Sequence, residues 1–178
     1  MYGNAENLPV SEGHAPQFLN NYSVSKFAAE AYAHCFWERF QLPISMVRYS
    51  NVYGYNQHPQ NPYSGVVGKF IGAALENSMI NIHGDGYQTR DFTFIDDIVE
   101  GVIRTLDKPA VSVSKNDISK SNLSISNAPY KIFNIGNGNS ISLIKYVNTL
   151  ENVLGIKANI NFMDMQKGDV TSTDADNS

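Results

Sequence analysis

The spacing of apolar and polar positions changes period several times along this chain, and each change marks an element. Over residues 1–20 no period holds, and Gly3, Pro9, Gly13 and Pro16 punctuate a loop-like segment. From Asn21 to about residue 41 the spacing is helical: Val24, Ala28, Ala31, Tyr32, Cys35 and Phe36 form one apolar stripe. Asn20 or Asn21 can cap the start, and Pro43 breaks the pattern. Residues 44–49 are a short, mostly apolar run that reads as a buried strand. A helix followed by such a strand is half of a βαβ unit, which predicts an α/β chain with a parallel sheet.

A polar loop with a glycine turn occupies residues 50–56, and Pro59 and Pro62 keep residues 56–64 irregular. A helix is predicted over about 65–77, then a half-exposed strand over 79–83 turned by Gly84 and Gly86. Residues 89–94 read as another short strand, after which Asp96 or Asp97 caps a helix through Leu106 that Pro109 closes. Residues 110–128 mix serines with Asn, Lys and single apolar residues, and read as a flexible surface insertion. Order returns with a strand over 131–136. Ser140 or Ser142 caps a helix over 143–154 that Gly155 stops, and residues 158–162 form a last strand before a polar tail.

Composition narrows the function classes. At 178 residues the chain has the length of one ordinary domain. A net charge of −4 argues against a nucleic-acid binder working through a basic surface. No apolar run approaches the ~20 residues that span a bilayer, and the first residues carry neither a basic region nor an apolar core, so neither a membrane segment nor a signal peptide is expected. The lone Cys35 cannot form an intrachain disulfide; it is expected as a buried small hydrophobe in a reducing, cytoplasmic setting. The four His stand apart without ligand spacing, so no metal is expected, and no G-x-S-x-G elbow points to a hydrolase.

What remains is Tyr22 and Lys26, four residues apart and so on one helix face. A cation there favours the ionised form of its neighbour, so Tyr22 could act as a base well below its reference pKa of about 10. The same spacing also occurs in a plain amphipathic helix. Ala29 and Ala33 continue this face with small side chains that would let a cofactor approach closely. Asn51 lies beyond a strand's carboxyl end, where ligands of doubly wound sheets bind, although a turn-forming Asn explains it equally simply. Arg90 suits bidentate phosphate binding, and a surface pair with Asp85, Asp91 or Asp96 is the plainer reading.

The order of motifs carries more than any one of them. Tyr2-Gly3, Tyr22-x-x-x-Lys26 and Arg48-Tyr49-Ser50-Asn51-Val52-Tyr53-Gly54 are followed by Gly84-Asp85-Gly86, Arg90-Asp91-Phe92, Asp96-Asp97, Phe133-Asn134-Ile135-Gly136 and Lys167-Gly168-Asp169-Val170. The series resembles the NAD-dependent nucleotide-sugar epimerase/dehydratase family, extended short-chain dehydrogenases/reductases, over all but the serine-rich insertion. It is closest to UDP-sugar 4-epimerases.

The resemblance implies a Rossmann-like doubly wound sheet plus a smaller α/β substrate-binding domain, roughly residues 1–55 and 56–178 and partly interleaved. It implies that the chain matches the C-terminal half of the family, whose G-x-x-G-x-x-G loop and catalytic Ser/Thr have no counterpart here. Tyr22 would take the proton from a sugar hydroxyl while hydride passes to NAD, and Lys26 would bind the nicotinamide ribose. The keto sugar would turn and take the hydride back on its other face. Tyr49 and Asn51 would line the nicotinamide, and Asn51 and Arg90 would meet the sugar diphosphate. Asn81 and His83 would lie by the base and Asp169 by the ribose. Asn51 in place of the usual Thr, with no Arg near His58, favours a neutral UDP-hexose or N-acetylhexosamine over a uronate. A homodimer through the first helix is implied. A 4,6-dehydratase, or a non-catalytic remnant, are the alternatives.

Overall fold

The computed structural model describes residues 1–61, 64–111 and 130–178, so the insertion expected at 110–128 falls almost wholly outside them. In chain order the elements are α1 (Asn21–Phe40), β1 (Ile44–Tyr49), β2 (Val52–Tyr53), α2 (Val66–Leu75), β3 (Met79–His83) and β4 (Thr89–Arg90). Then follow β5 (Thr93–Phe94), α3 (Ile95–Asp107), β6 (Tyr130–Ile135), β7 (Ile141–Ser142), α4 (Leu143–Leu154) and β8 (Asn159–Met163).

Local signals fix both ends of α1. Asn20 Oδ1 accepts the Ser23 N–H at 2.9 Å, and Ser23 Oγ faces the Asn20 N–H at 3.4 Å, a reciprocal cap. At the other end Gln41 turns left-handed with φ 54°, and its N–H donates to the Trp37 carbonyl at 2.8 Å.

The face that α1 buries is not the one its apolar residues mark. Ser23, Glu30 and Trp37, two turns apart in a line, are buried, while Val24, Tyr32, Cys35 and Phe36 are exposed. Cys35 is therefore no buried hydrophobe. The inner line can carry a carboxylate because a guanidinium from β1 meets it, and a count of apolar positions misses such a face.

Three of the four ladders among the described residues are parallel. Ile44 to Tyr49 of β1 pair with Tyr130 to Ile135 of β6, Met79 to His83 of β3 with Asn159 to Met163 of β8, and β2 with β5; β4 pairs antiparallel with β7. β1 is sandwiched. On one face Ile44 and Met46 pack with Ala33 against Trp37, Tyr130 and Ile132. On the other lies α3, whose Gly101 approaches so closely that a Cβ there would stand 2.8 Å from Ile135 Cδ1. Helix, parallel strands, helix is the layering of the Rossmann-like α/β fold. β1 is half-buried rather than fully buried, with Tyr49 exposed.

A second core joins Phe70 and Ala74 of α2, Ile80 and Ile82 of β3, and Leu143, Val147 and Leu150 of α4. Ser142 caps α4 by accepting the Lys145 N–H at 3.3 Å, and Gly155 ends it with φ 68°. Two expectations need correction between these cores. Residues 89–94 are not one strand but β4 and β5 in separate ladders, because Asp91 between them turns wholly inside and accepts the Asn137 N–H at 3.1 Å. Neither Asp96 nor Asp97 caps α3: Phe94 holds that position without a side-chain bond, and both aspartates sit in the first turn, where the helix dipole favours them.

Candidate active site

Tyr22 and Lys26 stand one turn apart near the start of α1, with Lys26 Nζ 5.3 Å from the centre of the Tyr22 ring. The ring is 70 % exposed. The pair lines a cleft of about 650 Å³ whose other walls include Ala29 and Glu30 of α1, Arg48 and Tyr49 of β1, and Asn51. Ala29 lines it beside the Tyr and Lys, whereas Ala33, expected on the same face, packs instead against the core of Trp37, Tyr130 and Ile132.

A buried polar chain supports this cleft. Arg48 Nε and Nη2 donate to the two carboxylate oxygens of Glu30 at 2.8 and 2.7 Å, and Arg48 Nη1 donates to the Tyr2 hydroxyl at 2.8 Å. That hydroxyl donates in turn to Asn134 Oδ1 of β6 at 2.6 Å. Burial opposes the charge on Arg48, but the bonds from Glu30 and Tyr2 outweigh it and raise its pKa above the ordinary arginine value. Burial also raises the Tyr2 phenol, against the pull of Arg48.

Asn51 is committed to the frame around the cleft. Its Nδ2 donates to Thr173 Oγ1 at 2.8 Å and to the Asp91 carbonyl at 3.2 Å, and its carbonyl accepts the Thr93 N–H at 3.2 Å. The side chain thus ties β1's loop to Asp91 and to the C-terminal tail, and the backbone carbonyl ties it to β5.

A second cleft, about 330 Å³, lies between α2, β3 and the tail, and Asn81, His83, Arg90 and Asp169 all line it. Asn81 and His83 reach it together because alternate residues of a strand share a face. Arg90 is buried, and its Nη2 donates to Asp169 Oδ1 at 2.9 Å while Nη1 holds the Thr89 carbonyl at 2.9 Å. Its partner is thus Asp169, and none of Asp85, Asp91 or Asp96. Between β3 and β4 the chain turns at Gly84 and Gly86: Gly86 has φ +82°, and a Cβ there would meet Ile144 Cγ1 at 2.5 Å. Asn51, expected beside both cofactor and diphosphate, lines the first cleft and not the second.

The sequence reading missed Glu30, Arg48 and Gln88. Gln88 lines the second cleft and donates to the His83 carbonyl. Among the described residues no group of three or more His, Cys, Asp or Glu could hold a metal ion, and no helix is long and apolar enough to cross a membrane.

A family model for the NAD dependent epimerase/dehydratase family matches residues 1–136. The chain belongs to this family. Protein CapI of Staphylococcus aureus is 36 % identical over 155 residues, covering 87 % of this chain and 45 % of CapI. Human dTDP-D-glucose 4,6-dehydratase is 31 % identical over 150 residues, covering 84 % of this chain and 37 % of its own length. The crystal structure of the UDP-glucuronic acid 4-epimerase from Bacillus cereus, in complex with UDP-glucuronic acid and NAD, is 31 % identical with a TM-score of 0.79, covering 98 % of this chain and 49 % of that one. The chain spans about half the length of the curated relatives it matches.

Proposed function

We propose that this chain carries the proton-transfer pair and the nucleotide-sugar cleft of a NAD-dependent UDP-sugar 4-epimerase. One observation carries the reading. Tyr22, Lys26, Tyr49 and Asn51 share one cleft, and Asn81, His83, Arg90 and Asp169 share another, which follows the division into cofactor and substrate groups that the motif order implies except at Asn51, implied in both.

The first cleft fits the nicotinamide-ribose end of NAD. Ala29 adds no bulk there, Lys26 offers an ammonium for ribose hydroxyls, and Arg48 occupies both oxygens of Glu30, the nearby carboxylate. Bound NAD supplies an acceptor for the carbon-bound hydride and returns it. Tyr22 Oη takes the proton of the sugar hydroxyl and gives it back. Arg90 offers its planar donors to the diphosphate, while His83 and Asn81 border the base and Asp169 the ribose. Residues 1–55 then belong to the NAD-binding part and residues 56–178 mostly to the sugar-nucleotide part. Pairing of two copies through the exposed Val24, Tyr32 and Phe36 of α1, and a cytoplasmic setting, complete the reading. The substrate is a neutral UDP-hexose or UDP-N-acetylhexosamine.

The similarity to the human dehydratase favours a second reading, a 4,6-dehydratase on the same two clefts. Calorimetry of the 178-residue chain with UDP-glucose, UDP-N-acetylglucosamine and NAD tests the first: heat with a UDP-sugar that Arg90→Ala abolishes supports it. Silence with every ligand sinks it in favour of a non-catalytic remnant. Product analysis of an active form, compared with Tyr22→Phe, separates an epimer from a 4-keto-6-deoxy sugar.

A further inference from the structure

The Asn51 side chain commits both of its N–H groups to the protein. Its Nδ2 donates to Thr173 Oγ1 at 2.8 Å and to the Asp91 carbonyl at 3.2 Å. The second contact decides which way the amide faces, because a backbone carbonyl only accepts and so cannot be the partner of Oδ1. No group among the described residues donates to Oδ1. That oxygen is left for whatever occupies the first cleft, which the half-buried Asn51 lines beside Tyr49 and Val52.

Thr173 is itself held on several sides. Its Oγ1 also accepts the Asp91 N–H at 3.1 Å, its own N–H donates to the Thr89 carbonyl at 3.2 Å, and its carbonyl accepts the Ser140 hydroxyl. Thr173 Oγ1 is thus a fixed acceptor in front of the Asn51 amide. An ionised diphosphate offers only acceptors, so it calls for a donor. To supply one, Asn51 would have to abandon the carbonyl of Asp91, a residue with no exposure at all. Stripping a buried acceptor of its donor opposes that rotation.

We propose that Thr173 is a positioning residue that fixes Asn51 as a hydrogen-bond acceptor of the first cleft. Its ligand partner is a neutral donor, the primary amide of a nicotinamide or a hydroxyl of the sugar, and not the diphosphate that the motif order implies for Asn51. Of the two residues implied at the diphosphate, only Arg90, in the second cleft, serves it. The identity of the ligands rests on the epimerase reading; the orientation of the amide does not.

The 178-residue chain is titrated with UDP, UDP-glucose and nicotinamide mononucleotide, followed by calorimetry and by NMR of the isotope-labelled Asn51 side-chain amide. In the free chain both Nδ2 protons should exchange slowly with water, and they should stay bonded when UDP binds. Thr173→Val keeps the shape but removes the acceptor, and should speed that exchange by about tenfold or more. It should weaken UDP-glucose or nicotinamide mononucleotide by about three- to tenfold while leaving UDP within about twofold. A loss confined to nicotinamide mononucleotide assigns the amide as donor; one confined to UDP-glucose assigns the sugar hydroxyl. Thr173→Ser, which restores a hydroxyl, should stay within about twofold of the parent throughout. If circular dichroism shows that Thr173→Val does not fold, exchange of the parent's amide with and without ligand decides. An equal loss for UDP, an Asn51 amide that leaves Thr173 for the phosphate, or affinities that Thr173→Val leaves unchanged would each overturn the proposal. In any of these cases, heat with UDP-glucose that depends on Arg90 would still uphold the epimerase reading, whereas silence with every ligand would overturn both.

Discussion

Arg48 and Glu30 hold each other through two parallel hydrogen bonds, with side chains only 9 % and 7 % exposed. The pair fastens β1 to the helix that presents Tyr22 and Lys26. Breaking a buried pair from one side strands a charge, which costs about 3–5 kcal/mol. Arg48→Met is therefore expected to lower stability by that order in urea unfolding. The double variant Glu30→Gln/Arg48→Met should recover most of the loss, because no lone carboxylate then remains buried. If single and double variants unfold alike, the pair does not fasten the helix in this way.

The ion pair between Arg90 and Asp169 sets up competition at the second cleft. Inorganic pyrophosphate must draw Arg90 away from Asp169, whose side chain is 35 % exposed. A partly exposed pair is worth up to about 1 kcal/mol, so Asp169→Asn should tighten pyrophosphate binding roughly two- to fivefold. The same variant should weaken UDP binding if Asp169 meets the ribose. Calorimetry with the two ligands reads both changes, and a shift in the same direction for each would refute the division of roles.

Gly86 is fixed by two separate demands, a positive φ and the approach of Ile144. Gly86→Ala should cost about 2 kcal/mol or more, from left-handed strain and overpacking together. Gly155→Ala is the comparison. It has a similar φ of +68° but nothing within 4 Å of a Cβ, so only the conformational part is expected there. Thermal unfolding of both variants measures the difference, and equal losses would mean that the contact with Ile144 relaxes freely.

Tyr146 links stability to alkaline pH. Burial, with a smaller contribution from Tyr53, pushes its phenol up to about 12, and its hydroxyl donates to the Val67 carbonyl at 3.3 Å. A pKa raised on folding means the folded state keeps its proton longer. The contribution is therefore complete below the unfolded value of about 10 and is lost as pH rises from there through about 12. Unfolding of Tyr146→Phe followed from pH 9 to about 12 should show a shallower decline than the parent. A parallel decline would remove Tyr146 from the account.

Much of the scaffold is legible from local chemistry. Asn20 and Pro43 bracket α1, Ser142 and Gly155 bracket α4, and the alternation in β3 already sets Asn81 and His83 on one face. The inward face of α1 is not legible, because its buried line contains Glu30, and what makes that tolerable is Arg48 on the next strand. Arg90 shows the same limit at longer range. Nearby aspartates look like its partners in the sequence, yet the tail brings Asp169 from 79 residues away. The division of residues 89–94 depends on Asp91 finding amide donors at Asn137 and Ala175, again from distant segments. Motif order pointed to such residues without saying what holds them.

The ladder between β1 and β6 has a consequence for how the chain acquires its structure. Trp37 is completely buried, and part of its cover is Tyr130 and Ile132 of β6. Asn134 of the same strand bonds to the Val10 carbonyl at 2.8 Å and the Asp176 carbonyl at 3.1 Å, drawing both ends of the chain to it. During synthesis α1 and β1 leave the ribosome long before these partners exist, and closing so wide a loop is slow. The layer bearing Tyr22 and Lys26 therefore consolidates late, and until then the nascent chain carries a bare tryptophan face of the kind that chaperones shield.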